Sequence, residues 1–236
     1  MPKPILCWVT DRRALSLPAV PASQNSSDSD RETALIARAR DVASAGVEWI
    51  QLREKDLDAR PLSHLACAIL SAVPPRTRLL INDRLDVAWS CGAAGVHLGE
   101  ASLPVAEAAC EIARRKASPS PQDQAPDFLL GVSCHSLDAV RLAADAGANY
   151  VFFGPVFATP SKAAFGPPQG LRRLAEACRA VSIPVLAIGG ITPENSSSCV
   201  DAGAAGLAAI RMFQNASDRD SLSALVERLS SPRALR

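Results

Sequence analysis

The 236-residue chain has no charge excess. Its 25 Lys and Arg face 24 Asp and Glu, leaving a formal net charge of +1, so nothing in it suits electrostatic capture of nucleic acid or of an acidic membrane. It lacks any run of the roughly 18 apolar residues that a membrane span requires. The opening Met-Pro-Lys-Pro-Ile-Leu-Cys-Trp-Val-Thr-Asp runs straight into a strand and a charged turn. Seven cysteines (7, 67, 91, 110, 134, 178 and 199) form no Cys-x-x-Cys pair, and they read as small buried hydrophobes in a reducing compartment. No Gly-x-Gly-x-x-Gly follows the first strand, which weakens a doubly wound open sheet. The expectation is a cytoplasmic protein that handles small molecules, with neither nucleic acid nor membrane as partner.

What is present is a repeated grammar. An Ala-rich helical stretch stops at a small residue followed by glycine, and a short apolar strand begins a few residues later. The pairs are Ala45-Gly46, Cys91-Gly92, Ala146-Gly147 and Ala202-Gly203. Glycine just past a helix accepts the left-handed conformation that closes the last turn. The recurrence interval is long enough for two strand–helix units, and four such double units make eight. Strands are predicted near 5–10, 48–53, 78–82, 95–98, 128–133, 149–154, 184–189 and 205–210. Helices are predicted near 31–45, 60–72, 84–92, 104–116, 137–146, 169–181, 194–202 and 220–230. Leu79-Leu80-Ile81 and Val185-Leu186-Ala187-Ile188 are apolar on both faces, as in a parallel sheet covered by helices. A (β/α)8 TIM barrel forming one domain over residues 1–236 is the economical assignment, and the length suits it. Residues 16–30 and 117–127 lack apolar periodicity and read as inserted surface loops.

In this architecture the chemistry belongs at the carboxyl ends of the strands. Strand 2 ends in Gln51, Arg53 and Lys55, spaced two apart and therefore on one face. Two cations and an amide converging where a core strand stops imply an anion, since unpaired buried charge is costly. The other ends carry Asn82-Asp83, His97 with Glu100, Ser133-Cys134-His135, Gly154-Pro155 with Thr159-Pro160-Ser161-Lys162, Gly189-Gly190, and Arg211. A strand emerging into solvent would explain one such end but not a whole rim. Gly189-Gly190 lets backbone N–H groups approach one phosphate, at the usual position after strands 7 and 8. Arg53, Lys55, Asn82 and Lys162 form a second basic cluster. Asp83 beside them makes sense if a divalent cation bridges carboxylate and phosphate oxygens. His97 reads as structural, and Cys134, on the opposite face from its neighbours, as an improbable nucleophile.

Six motifs occur in order: Gln51-Leu-Arg-Glu-Lys55, Ile81-Asn-Asp-Arg84, Gly95-Val-His-Leu-Gly99, Gly131-Val-Ser-Cys-His-Ser136, Phe153-Gly-Pro-Val-Phe157 with Thr159-Pro-Ser-Lys162, and Ala187-Ile-Gly-Gly-Ile-Thr192 with Asn195. Over about residues 5–213 the chain resembles the thiamin phosphate synthase and thiazole tautomerase family. The resemblance implies a transferase that joins hydroxymethylpyrimidine pyrophosphate to a thiazole phosphate and releases pyrophosphate, with Mg2+ assisting. By position, Gln51, Arg53, Lys55, Asn82 and Lys162 would hold the pyrimidine pyrophosphate, and Asp83 the magnesium, with Glu100 the nearest further carboxylate. Ser133 would face the pyrimidine. Thr159, Ser161 and Gly190 would hold the thiazole phosphate.

Two positions depart from the synthase pattern. Ser102 stands where a second magnesium carboxylate is usual, and Arg211 where a serine usually meets the thiazole phosphate. The alternatives are a thiazole tautomerase, with His135 moving the proton, and a ligand sensor that kept the pocket without the chemistry. The full basic cluster with Asp83 favours the synthase, because tautomerisation expels no pyrophosphate.

Overall fold

The computed structural model describes residues 3–15, 27–99, 101–117, 127–159 and 167–231. Eight parallel strands close into a barrel in sequence order. They are β1 (Ile5–Val9), β2 (Trp49–Leu52), β3 (Arg78–Asn82), β4 (Gly95–Leu98), β5 (Leu129–Cys134), β6 (Tyr150–Phe153), β7 (Val185–Ile188) and β8 (Gly206–Ala209). β8 returns to β1 with Ile5 opposite Gly206. The helices are α1 (Asp28–Ser44), α2 (Ala59–Ala72), α3 (Leu85–Ser90), α4 (Val105–Ala117), α5 (Leu137–Asp145), α6 (Gly170–Ala180), α7 (Ser196–Asp201), α8 (Arg211–Gln214) and α9 (Arg219–Ser230). Gly46, Gly92, Gly147 and Gly203 all have positive φ, as the repeated grammar requires. No helix among the described residues is long and apolar enough to cross a membrane.

Three local expectations are corrected. α1 begins at Asp28, inside the predicted 16–30 loop, because Ser27 and Asp30 form a reciprocal capping box that satisfies two backbone donors otherwise left open. α4 runs through Ala117, so the second predicted insertion starts one residue later; residues 16–26 and 118–126 lie outside the described residues. Arg211 does not end β8 but opens the short helix α8. Among the cysteines, Cys7, Cys134 and Cys199 are buried, whereas Cys67 and Cys110 are exposed on helices.

Strand alternation sorts the core into two layers. Leu6, Trp8, Ile50, Leu52, Leu79, Ile81, Val151 and Phe153 pack outward against the helices, with Leu35, Leu65, Ile69 and Leu174 among their partners. Cys7, Val9, Trp49, Leu80, Tyr150, Phe152, Leu186 and Ala208 fill the barrel's interior, a packed core and not a pore. Trp49 meets Tyr150 edge-on with ring centroids 4.8 Å apart, and Phe152 lies 4.2 Å from the His97 ring. This aromatic layer is the floor on which the polar rim rests.

Gly131 makes room for that floor. It pairs with Tyr150 across β5 and β6, and a Cβ there would overlap the Tyr150 ring. With Trp49 and His97 on either side, the ring has nowhere cheap to go. Gly131→Ala is therefore expected to destabilise the fold by about 2 kcal/mol, within the range for overpacked cores. The check is the denaturant midpoint at unchanged slope.

Candidate active site at the carboxyl end of the barrel

The rim assembles from strand ends in register. Val9 lies opposite Gln51, Leu52 opposite Ile81, and Asn82 opposite His97, so polar residues on adjacent strands stand side by side. Gln51 Nε2 donates to Asn82 Oδ1 at 2.9 Å, and Asn82 Nδ2 donates to Asp83 Oδ2 at 2.6 Å. Lys55 Nζ lies 3.9 Å from the same carboxylate oxygen. The other oxygen, Asp83 Oδ1, accepts from the Gly99 N–H at 3.0 Å and from the Ser102 hydroxyl. Ser102 Oγ in turn accepts from Gly99 N at 2.7 Å. Gln51, Asn82, Asp83, Ser102 and Lys55 thus form one polar chain across β2, β3 and the loop after β4.

Asp83 is held in an unusual way. Its φ is +62°, the one positive value recorded for a non-glycine residue among the described residues, in a region where a side chain costs roughly 1 kcal/mol or more. Burial pulls its carboxyl up, but the Ser102 and Gly99 hydrogen bonds and the Lys55 charge outweigh it and hold it below the ordinary carboxylate range. An ionised, half-exposed carboxylate results, the hard oxygen donor that magnesium prefers. Among the described residues no three His, Cys, Asp or Glu side chains gather into a metal cluster. That does not exclude magnesium, which usually takes one or two protein carboxylates and completes its shell with substrate oxygens and water. The residues present fit it.

Deeper in the mouth, Ser133 Oγ lies 2.9 Å from His97 Nε2, and His97 Nδ1 lies 3.0 Å from the Tyr150 hydroxyl. His97 is 1% exposed. Both ring nitrogens are occupied, so the imidazole orients Ser133 as a structural residue, as expected from the sequence. Burial drives its pKa down to about 3, with the Arg53 charge adding in the same direction and the Asp83 charge opposing. In the unfolded chain it takes a proton near pH 6.5; in the fold it does so only near 3. Stability is therefore lost as pH falls through this window, at up to about 1.4 kcal/mol per pH unit for a single proton. His97→Gln is expected to flatten the dependence of unfolding free energy on pH between 6 and 4 by up to one proton's worth, read from denaturant titrations at several pH values.

The remaining rim residues are placed as follows. Arg53 is half-buried, and its backbone N–H donates to Thr10 Oγ1 at 2.9 Å. His135 Nδ1 contacts the Gly154 carbonyl, which fixes the ring at the end of β5. Cys134 packs outward in the helix-facing core, away from the mouth. Gly189 and Gly190 have φ of +93° and +66°, and a Cβ at Gly190 would come within 2.7 Å of the Ala158 carbonyl oxygen. Close packing on the loop after β6 alone demands glycine there. Asn195 pins the loop through Gly190 O at 2.9 Å and Thr192 N at 2.8 Å. Thr159 closes the described part of the loop after β6, and Arg211 is exposed on α8. Glu100, Ser161 and Lys162 lie outside the described residues.

Sequence reasoning passed over Tyr150, Thr10, Arg12 and Glu54. The available signal was alternation: in Gln51-Leu-Arg-Glu-Lys55, Glu54 must face away from Arg53 and Lys55, which calls for a buried partner.

Residues 24–213 match the sequence profile of a family described as thiamine monophosphate synthase. A putative thiamine-phosphate synthase of Geobacter sulfurreducens is 44% identical over 177 residues, covering 75% of this chain and 78% of that protein. A thiamine-phosphate synthase of Roseiflexus sp. is 41% identical over 80% of this chain and 77% of its own. Among solved structures, a thiamine phosphate pyrophosphorylase from Pyrococcus furiosus superposes with a TM-score of 0.72 at 26% identity, covering 96% of this chain and 98% of that one.

Proposed function

The chain belongs to the thiamine monophosphate synthase family, and from that membership and the rim geometry we propose a thiamin phosphate synthase that couples hydroxymethylpyrimidine pyrophosphate to a thiazole phosphate and releases pyrophosphate. One observation carries the proposal: the chain from Gln51 through Asn82 and Asp83 to Lys55, with Arg53 on the same strand face, gathers cations and hydrogen-bond donors at one side of the mouth.

The pyrophosphate lies against Gln51, Arg53, Lys55 and Asn82, with Lys162 completing the cluster. As its bond to the pyrimidine's methylene carbon breaks, the leaving group takes the electron pair and gains negative charge, while the thiazole nitrogen's lone pair forms the new bond to that carbon. Fixed cations stabilise that charge more than the bound substrate's, which is the difference that accelerates the step. Asp83, with Glu100 as a further carboxylate following β4 in the sequence, would hold a magnesium ion, which when bound would supply positive charge to offset that of the pyrophosphate. Ser133, oriented by neutral His97, faces the pyrimidine. The thiazole phosphate is assigned to Thr159, Ser161 and the Gly189-Gly190 loop, with Arg211 an exposed cation on α8.

The synthase names of the relatives favour this over tautomerisation by His135. Incubating the protein with magnesium, pyrimidine pyrophosphate and each of the two thiazole phosphate tautomers, then assaying thiamin phosphate and pyrophosphate, tests it. Stoichiometric appearance of both is expected. Interconversion of tautomers without thiamin phosphate would overturn the reading.

A further inference from the structure

We infer that Thr10, Arg12 and Glu54 are positioning residues that set where Arg53 and Lys55 stand at the mouth. The inference rests on the synthase reading for the identity of the anion but not for the geometry. The parallel ladder between β1 and β2 ends with Thr10 N donating to Gln51 O at 2.9 Å. Beyond that point the Thr10 hydroxyl takes over the pairing, accepting the Arg53 backbone N–H at 2.9 Å and donating to Glu54 Oε1 at 2.5 Å.

Glu54, on the face opposite Arg53 and Lys55, is enclosed. Its carboxylate accepts the Arg12 backbone N–H at 3.2 and 3.1 Å and the Arg12 guanidinium at 3.3 Å. The same guanidinium, 1% exposed, grips Asp56 with two bonds of 2.6 and 2.7 Å, and Arg13 adds a third contact to Asp56 at 2.8 Å. Residues 53–56 are therefore fastened by Thr10 and the turn that follows β1, with Arg53 held through its own backbone N–H and Lys55 between the fastened Glu54 and Asp56.

A buried ion pair is weak evidence for net stability, because desolvating both charges cancels much of their attraction. What the cluster supplies instead is a defined conformation. The alternatives to it leave a buried carboxylate or an unpaired backbone N–H, each costly. Catalytic groups displaced by about 1 Å lose much of their effect, so a device that fixes the Arg53 backbone acts on the chemistry without touching substrate.

Thr10→Val keeps the shape and removes the hydroxyl. It is expected to weaken binding of inorganic pyrophosphate, read by calorimetry, about tenfold, and to raise KM for the pyrimidine pyrophosphate similarly, while KM for the thiazole phosphate moves less than about twofold. Thr10→Ser, which restores the hydroxyl, recovers both values. Glu54→Gln gives the same selective split and serves if the valine variant does not fold. Unchanged pyrophosphate affinity, equal losses for both substrates, or no rescue by serine would overturn the inference. A wild type that binds pyrophosphate and loses it in Thr10→Val, yet makes no thiamin phosphate, upholds the positioning and removes the synthase reading.

Discussion

Replacing Arg53 by alanine is expected to lower thiamin phosphate formation by on the order of 10²-fold or more, with the barrel still folded. Among the described residues no carboxylate pairs with Arg53, whereas Arg12, Arg13, Arg84, Arg114, Arg141, Arg172, Arg219 and Arg228 all sit in salt bridges. Arg53 is half-buried at the end of β2 on the same strand face as Gln51 and Lys55, so its cation is available to an arriving anion. Its charge is felt at His97, below the mouth, and adds to the burial that keeps that imidazole neutral. Losing Arg53 removes stabilisation that is largest in the transition state, so kcat falls along with kcat/KM. Arg53→Lys keeps the charge without the planar fork and should recover only part of the loss. The measurement is steady-state turnover beside thermal unfolding; near wild-type turnover in the alanine variant would remove Arg53 from the pyrophosphate site.

The barrel was legible because its signals are local and repeated. Glycine after every second helix of the barrel, and short apolar runs between turn signals, put β3 at 78–82 and β4 at 95–98, the bounds observed, and the other strand ends within a residue or so. α1 was placed three residues late because Ser27, Asp28, Ser29 and Asp30 look like loop by composition, and only the reciprocal capping bonds make them helical. The four-residue α8 is too short to show a period, so Arg211 was assigned to a strand end.

The site was legible in its first layer and opaque in its second. Gln51, Arg53 and Lys55 announce themselves by period-two spacing. Arg12 gives no such sign, since a charged residue three positions beyond a strand reads as solvated until Glu54 and Asp56 are seen against it. Ser102 could be read as an absent carboxylate. That its hydroxyl instead caps Asp83 is a tertiary fact, made by the chain returning after β4 to the end of β3.

That contact sharpens the expectation for the metal. Asp83→Asn keeps the side chain's shape and can still accept from Ser102 and Gly99, but it removes the one ionised carboxylate in the described polar chain. The expected result is a loss of on the order of 10²-fold in turnover, with magnesium half-saturation moved up. Ser102→Asp should do the opposite. An aspartate at 102 would sit against Asp83, and two carboxylates sharing a site repel, raising one pKa unless a cation lies between them. Without magnesium the variant is expected to be less stable than wild type, and with magnesium to regain that stability, so its thermal midpoint should respond to the ion far more than wild type's. Magnesium half-saturation of turnover should fall about tenfold, as a second carboxylate enters the shell. Thermal midpoints across a magnesium series, taken without substrate, separate ion binding from catalysis. If Ser102→Asp shows no magnesium-dependent gain in stability and Asp83→Asn keeps wild-type turnover, the carboxylate at the end of β3 does not hold the ion, and the charge of the departing pyrophosphate must be met by Arg53, Lys55 and Lys162 alone.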